Sequence, residues 1–171
     1  MAKYTILTTL LCLFLTQSCT VSLINRSIDY DVLKTFNIDQ FGVKAANASP
    51  IIGQQFSEQL KTRILNNTKL AYVNEPRDGD VLFSGDVVGY AIEALAPQAN
   101  QTVALQRLSI QISIQYKNPP IKDGSKDWVQ TFSRFANFSA DQELSSVEEQ
   151  LITEIYDQIM DDVFNKAFSG W

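Results

Sequence analysis

A chain of 171 residues is long enough to bury one substantial core without disulfides or metal staples. With 14 Lys and Arg against 19 Asp and Glu it is mildly acidic, which excludes a general nucleic-acid-binding role, because neutralising phosphates requires a basic surface. Histidine is absent, and with it go Ser-His-Asp and Cys-His catalysis, imidazole metal ligation and any imidazole pH switch.

Lys3 makes a brief basic start, Tyr4 to Leu15 is apolar with interspersed Thr, and Thr16-Gln17-Ser18 is small or polar before Cys19. This is the layout of a secretory signal over residues 1–18, too short to span a membrane. Cys19 directly after a small residue resembles a bacterial lipoprotein lipobox, with Thr16 where an aliphatic residue is usual and Leu15 one step earlier. An ordinary cleaved signal would leave a lone thiol in an oxidising compartment, whereas thioether acylation consumes it. The expectation is a single domain over residues 19–171, held by acyl chains at Cys19, palmitate among them. Each buried CH₂ contributes about 0.8 kcal/mol to such a membrane anchor. Thr20 follows the cysteine where an acid would signal retention, and by resemblance to Gram-negative sorting this implies the periplasmic side of the outer membrane.

Thr20 to Asp31 reads as a tether, and Val32 to Ile38 as a first strand. Ser49 as N-cap and Pro50 at the first helical position open a helix whose Ile52, Phe56, Leu60 and Ile64 recur every four residues, ending at Asn66-Asn67. Leu70 to Val73 is a short apolar lead, and Glu75 to Asp80 a turn cluster. Two long antiparallel strands follow, Val81 to Leu95 and Val103 to Tyr116, joined by the polar loop Pro97 to Gln101. A turn-rich segment, Asn118 to Lys126, leads to a last strand from Asp127 to about Ala136. Lys122 and Lys126 there either keep a hairpin tip solvated or meet anionic headgroups. The final helix carries a capping-box pattern, Ser145 with Glu148 or Ser146 with Glu149, and ends near Gly170. Val147, Leu151, Ile155, Ile159 and Val163 form one apolar row, with Ile152, Met160, Phe164 and Phe168 beside it. Its outer Glu154, Asp157, Asp161 and Asp162 read as a solvated acidic face rather than a cation or acid/base site.

The second long strand places functional interest. Leu108, Ile110, Ile112, Ile114 and Tyr116 alternate with Arg107, Ser109, Gln111, Ser113 and Gln115, so one face is apolar and the other polar. Such a sheet is covered on one side only. In the first long strand, period 2 puts Gly85 and Gly89 with Val81, Phe83 and Val87, where they would admit a close helix. The same period puts Ser84, Asp86 and Tyr90 on the polar face. Arg107 and Tyr90 are the expected interface anchors on that face, with Gln111 and Ser113 between them.

The order of elements, the segment Phe132-Ser133-Arg134-Phe135-Ala136-Asn137-Phe138, the following Glu148-Glu149-Gln150-Leu151-Ile152-Thr153-Glu154-Ile155-Tyr156, and the Asp80 to Tyr90 rhythm resemble the LptE family of outer-membrane lipoproteins. That resemblance implies an α+β fold, a mostly antiparallel four-stranded sheet with two helices packed on one face. It also implies a non-enzymatic role without cofactors: assembling with and plugging an LptD-like outer-membrane barrel and aiding lipopolysaccharide insertion into the outer leaflet. Some members carry basic residues in the loop joining the long strands and just before the last helix. Here Ala96 to Thr102 and Asp141 to Ser146 contain no Lys or Arg. Phosphate contact would therefore fall to Arg107, Lys117, Lys122, Lys126 or Arg134. A stand-alone periplasmic lipid-binding module or a scaffold lipoprotein is the alternative; the former requires a deep apolar cavity.

Overall fold

A computed structural model describes residues 28–96 and 104–168. In chain order these form β1 (Thr35–Ile38), β2 (Gly42–Val43), α1 (Ile51–Asn67), β3 (Ala71–Tyr72), β4 (Val81–Ala94), β5 (Leu105–Lys117), β6 (Trp128–Ser139) and α2 (Leu144–Phe168). A short 3-10 turn, Pro76–Asp78, precedes β4. The signal-like segment, Cys19 and the loop between the long strands lie outside the described residues.

One sheet runs in the order β3-β1-β4-β5-β6, with β2 also pairing with β4. The β4, β5 and β6 strands are antiparallel, but β1 is parallel to both β3 and β4, and β2 is parallel to β4. The expected four-stranded, mostly antiparallel sheet is thus corrected to a mixed sheet of six. The cause is the crossover: α1 carries the chain back to where β1 began, so β3 and β4 flank β1 and run in its direction.

Along β4, β1 and β2 act as one interrupted strand. Ile38 is opposite Phe83 and Gly42 opposite Asp86, so one extra residue lies between the two pieces. The irregularity turns Phe41 into the core, where its ring lies over Gly85; a Cβ there would meet Phe41 Cε1 at 2.9 Å. Close helix approach, expected at the glycines of the long strand, occurs instead at Gly53 of α1. A Cβ on Gly53 would fall 2.2 Å from the Phe41 carbonyl oxygen. Ser57 secures the contact, its Oγ accepting from the Phe41 N–H at 2.9 Å and donating to the Gly53 carbonyl at 3.0 Å.

Both helices cover one side of the sheet, as their apolar rows require. Ile52, Phe56, Leu60 and Ile64 of α1 join Leu151, Ile155, Ile159 and Val163 of α2 in one core with Leu108, Ile110, Ile112, Ile114 and Tyr116 of β5. Tyr156 links the helices: its hydroxyl donates to the Ile52 carbonyl at 2.8 Å and its ring meets Phe56 edge-on at 5.1 Å. Neither expected cap forms. Pro50 occupies the cap position of α1 without a side-chain bond. At α2, Ser146 Oγ donates to the Glu143 carbonyl at 2.7 Å and Glu148 is engaged elsewhere. The acidic side of α2 is only partly solvated, since Asp161 pairs with Arg63 of α1 and Asp162 with Arg134 of β6.

Candidate functional site

Among the described residues no helix lies on the second face of the sheet, and its lining follows from the strand registers. Across β4 and β5, Ser84 is opposite Gln115, Asp86 opposite Ser113, Gly89 opposite Gln111 and Glu93 opposite Arg107. Across β5 and β6, Gln115 is opposite Val129, Ser113 opposite Thr131, Gln111 opposite Ser133 and Arg107 opposite Asn137. Gln111 and Ser113 thus sit centrally on the open face, as the alternation predicts, and Gln111 is exposed. The face is polar with two apolar outcrops on β6, Val129 at 67% and Phe135 at 46% exposure. One end is closed by the 3-10 turn, where the buried Asn37 amide donates to the Val73 and Asn74 carbonyls at 2.9 and 3.1 Å.

Arg107 is held across two strands. Its Nε donates to Asn137 Oδ1 at 3.0 Å, and its guanidinium lies 3.8 Å from the centre of the Phe135 ring. A cation over an aromatic face, fixed by a hydrogen bond in plane, is a preorganised recognition element. The sequence strand ended near Ala136; pairing continues to Ser139, which brings Asn137 beside Arg107.

Tyr90 is not on this face. The β4–β5 register shifts between Val87 and Gly89, leaving Val88 as an extra residue, and every side chain beyond changes sides. Gly89 consequently faces Gln111 on the open side, while Tyr90 pairs with Ile110 on the helix side. Its hydroxyl donates to Glu148 Oε1 of α2 at 2.6 Å. Burial raises the Tyr90 pKa well above its ordinary value, and the Glu148 hydrogen bond and charge add to the rise. The residue ties β4 to the start of α2. Val87-Val88-Gly89 carries the only available signal, two adjacent apolar residues and a glycine interrupting the period.

The basic candidates do not converge. Lys117 ends the open face opposite Leu82, and Lys122 is exposed in the turn after it. Arg134 faces the helices and meets Asp162 at 2.5 Å, a structural pair. Lys126 lines a cleft of about 260 Å³ with Tyr116, Ser125, Asp127, Trp128 and Lys166, and Arg134 lines another of about 320 Å³ that shares Lys166. Sequence reading missed Lys166, because separate elements bring these groups together. A larger cleft, about 630 Å³, lies at the far end of β4 between Asn47, Tyr90, Ile92, Leu144 and Glu148. Its tyrosine, amide and carboxylate make it unlike the deep apolar cavity a lipid carrier needs. No helix among the described residues is long and apolar enough to cross a membrane.

The fold and this surface define a class: a small α+β protein with one core-forming and one open sheet face, presenting an interaction surface. The family model described as LptE, lipopolysaccharide-assembly, matches residues 33–167. The chain belongs to the LptE family, whose members are non-enzymatic lipoproteins of the cell envelope that act in lipopolysaccharide assembly. No curated protein matches it in sequence. Among solved structures it is similar to a neuraminyllactose-binding hemagglutinin homolog from Helicobacter pylori, at 8% identity over 84% of each chain with a TM-score of 0.51, a likeness of fold. It is also similar to a minor lipoprotein from Acinetobacter baumannii, at 13% identity over 81% of this chain and 92% of that one, TM-score 0.49. The rare lipoprotein B from Shewanella oneidensis is 16% identical over 78% and 94%, TM-score 0.46.

Proposed function

We propose that this protein assembles with and plugs an LptD-like outer-membrane barrel, aiding lipopolysaccharide insertion into the outer leaflet, and that the open sheet face is the surface that meets the barrel. The observation carrying this reading is the long face over β4, β5 and β6, polar and covered by neither described helix, with Arg107 fixed on Phe135 and Asn137. A polar face suits the polar lumen of a large membrane barrel. Arg107, Gln111 and Ser113 are the contact residues in this reading; Tyr90 and Arg134 tie the sheet to α2 instead. Cys19 carries the lipid that keeps the protein at the periplasmic side of the outer membrane.

Affinity purification from detergent-solubilised membranes tests the proposal. A large barrel co-purifying in equal amount is the expected result. Recovery of the lipoprotein alone, from membranes in which the barrel is present, contradicts it.

A further inference from the structure

We infer that the outer edge of β6 pairs antiparallel with β6 of a second copy of this chain, joining two sheets into one about a two-fold axis through Phe132. The contact uses the rim of the sheet rather than its open face, and the inference does not depend on barrel association.

The two edges of the sheet differ. At one, β3 pairs over two residues only, and the Lys61 ammonium lies 3.8 Å from the centre of the Tyr72 ring, so little strand is on offer. At the other, β6 runs for 12 residues, about 40 Å at the rise of an antiparallel strand. It contains no Pro or Lys, carries one charge, Arg134, and shows no register shift against β5. Charges, prolines and bulges are what ordinarily keep a strand edge from pairing, and β6 lacks nearly all of them. The Ala140 N–H donates to the Ala104 carbonyl at 2.9 Å, on the β5 side. Alternation therefore turns the N–H and C=O groups of Val129, Thr131, Ser133, Phe135 and Asn137 outward. Among the described residues only the Ser133 carbonyl of this row has a partner, Arg134 Nη1 at 3.1 Å.

The edge is complementary to itself. A two-fold through Phe132 sets Val129 opposite the second copy's Phe135 and Thr131 opposite its Ser133, and each of these residues points its backbone groups outward, as an antiparallel ladder requires. Val129 and Phe135, 67% and 46% exposed, are the bare apolar residues of β6, and this register covers each with the other. Charge agrees with the same axis. Asp162 meets Arg134 at 2.5 Å and Lys166 Nζ lies 5.4 Å from the Trp128 ring centre, so α2 runs antiparallel along β6 with Phe132 between its two attachments. The axis thus turns each Lys166 towards the other copy's Asp162. A cleft of about 320 Å³ between Gln130, Arg134, Asp162 and Lys166 leaves room for these side chains to meet. A contact built from one patch on both copies closes at two, which ends the pairing at a dimer.

The test is sedimentation equilibrium of the purified full-length protein in detergent micelles, joined to photo-crosslinking from Gln130, an exposed residue on the helix side of β6. A dimer is expected, with the crosslinker captured within residues 133–135 of the second copy; mixing isotopically labelled and unlabelled chains tells this from an internal link. Val129→Lys, at an exposed position, should weaken dimerisation at least tenfold. Ser133→Pro should do the same, because it removes an outward N–H and no bond to β5. A protein that stays monomeric at every soluble concentration, or a dimer of unchanged affinity in both variants, as association through micelles alone would give, overturns the inference. Capture of the barrel from Gln130 in native membranes, with the purified chain monomeric, identifies a barrel segment as the occupant and overturns it too.

Discussion

β4 and β5 are neighbours of nearly equal length, yet they solve the same problem differently. β5 keeps strict alternation from Arg107 to Tyr116, and its five apolar side chains are all at most 1% exposed. β4 alternates only as far as Val87, takes in Val88, and then presents the opposite parity, so that one strand serves two settings. Its first half lines the core with Val81, Phe83 and Val87; its second sends Tyr90 to α2 and leaves Ile92 46% exposed. An unbroken period builds a layer, and a single inserted residue re-aims a side chain without breaking the sheet.

The regular half is tested hardest from the helix that covers it. Ile155 and Ile159 are fully buried in the same core as the β5 row. Ile155→Ala or Ile159→Ala should each cost about 2 to 5 kcal/mol in denaturant unfolding, as a large-to-small change with a residual cavity. Wild-type stability in either variant would mean that α2 does not seal this layer.

Deleting Val88 breaks the comparison directly, because it makes β4 as regular as β5. Tyr90 should then stay opposite Ile110 and keep its bond to Glu148, because the deletion removes the unpaired residue without changing the register beyond it. Tyr90→Phe should lose that bond, a charge-assisted hydrogen bond worth about 1.5 to 3 kcal/mol. A deletion variant in which Tyr90 becomes exposed to solvent would show that its pairing with Ile110 does not set the side-chain direction.

Alkaline unfolding sharpens the same contrast, since Tyr116 of β5 and Tyr90 of β4 both lie on the helix side with raised pKa values, as does Tyr156 of α2. For all three the leading cause is burial, which favours the neutral hydroxyl. Above about pH 10 the unfolded chain ionises its tyrosines while the fold keeps these protonated. The native state then binds more protons, so stability falls as pH rises. Melting temperature should be level between pH 8 and about 9.5 and decline above it. Tyr116→Phe should flatten part of that decline, most clearly between pH 10 and 12; an unchanged slope would argue against a protonated, buried Tyr116.

How much of this was legible in the sequence follows from the same physics. The β5 row and the apolar stripes of both helices could be read because each repeats its period several times and nothing interrupts it. β2 and β3 could not, because two-residue strands carry no period and owe their pairing to the return of the chain through α1. Tyr90 was misplaced by extending a true period across Val88. The ion pairs of Asp161 and Asp162 were unreadable, since their partners Arg63 and Arg134 stand on other elements. Gln111, Ser113 and Arg107 could be placed on the open face because they share a strand whose alternation never fails.

The central claim is that the open face of the sheet meets the barrel, and site-specific photo-crosslinking in intact cells measures it most directly. Crosslinkers at Gln111 and Ser113 should capture the barrel, and Arg107→Glu should reduce that capture while leaving the protein folded, at a cost of about 1 to 3 kcal/mol for the lost Asn137 and Phe135 contacts and a second carboxylate opposite Glu93. A crosslinker at Asp157, exposed on α2, should capture little. Capture from Asp157 with none from Gln111 or Ser113 would contradict the account, because the helices would then be the side that faces the barrel.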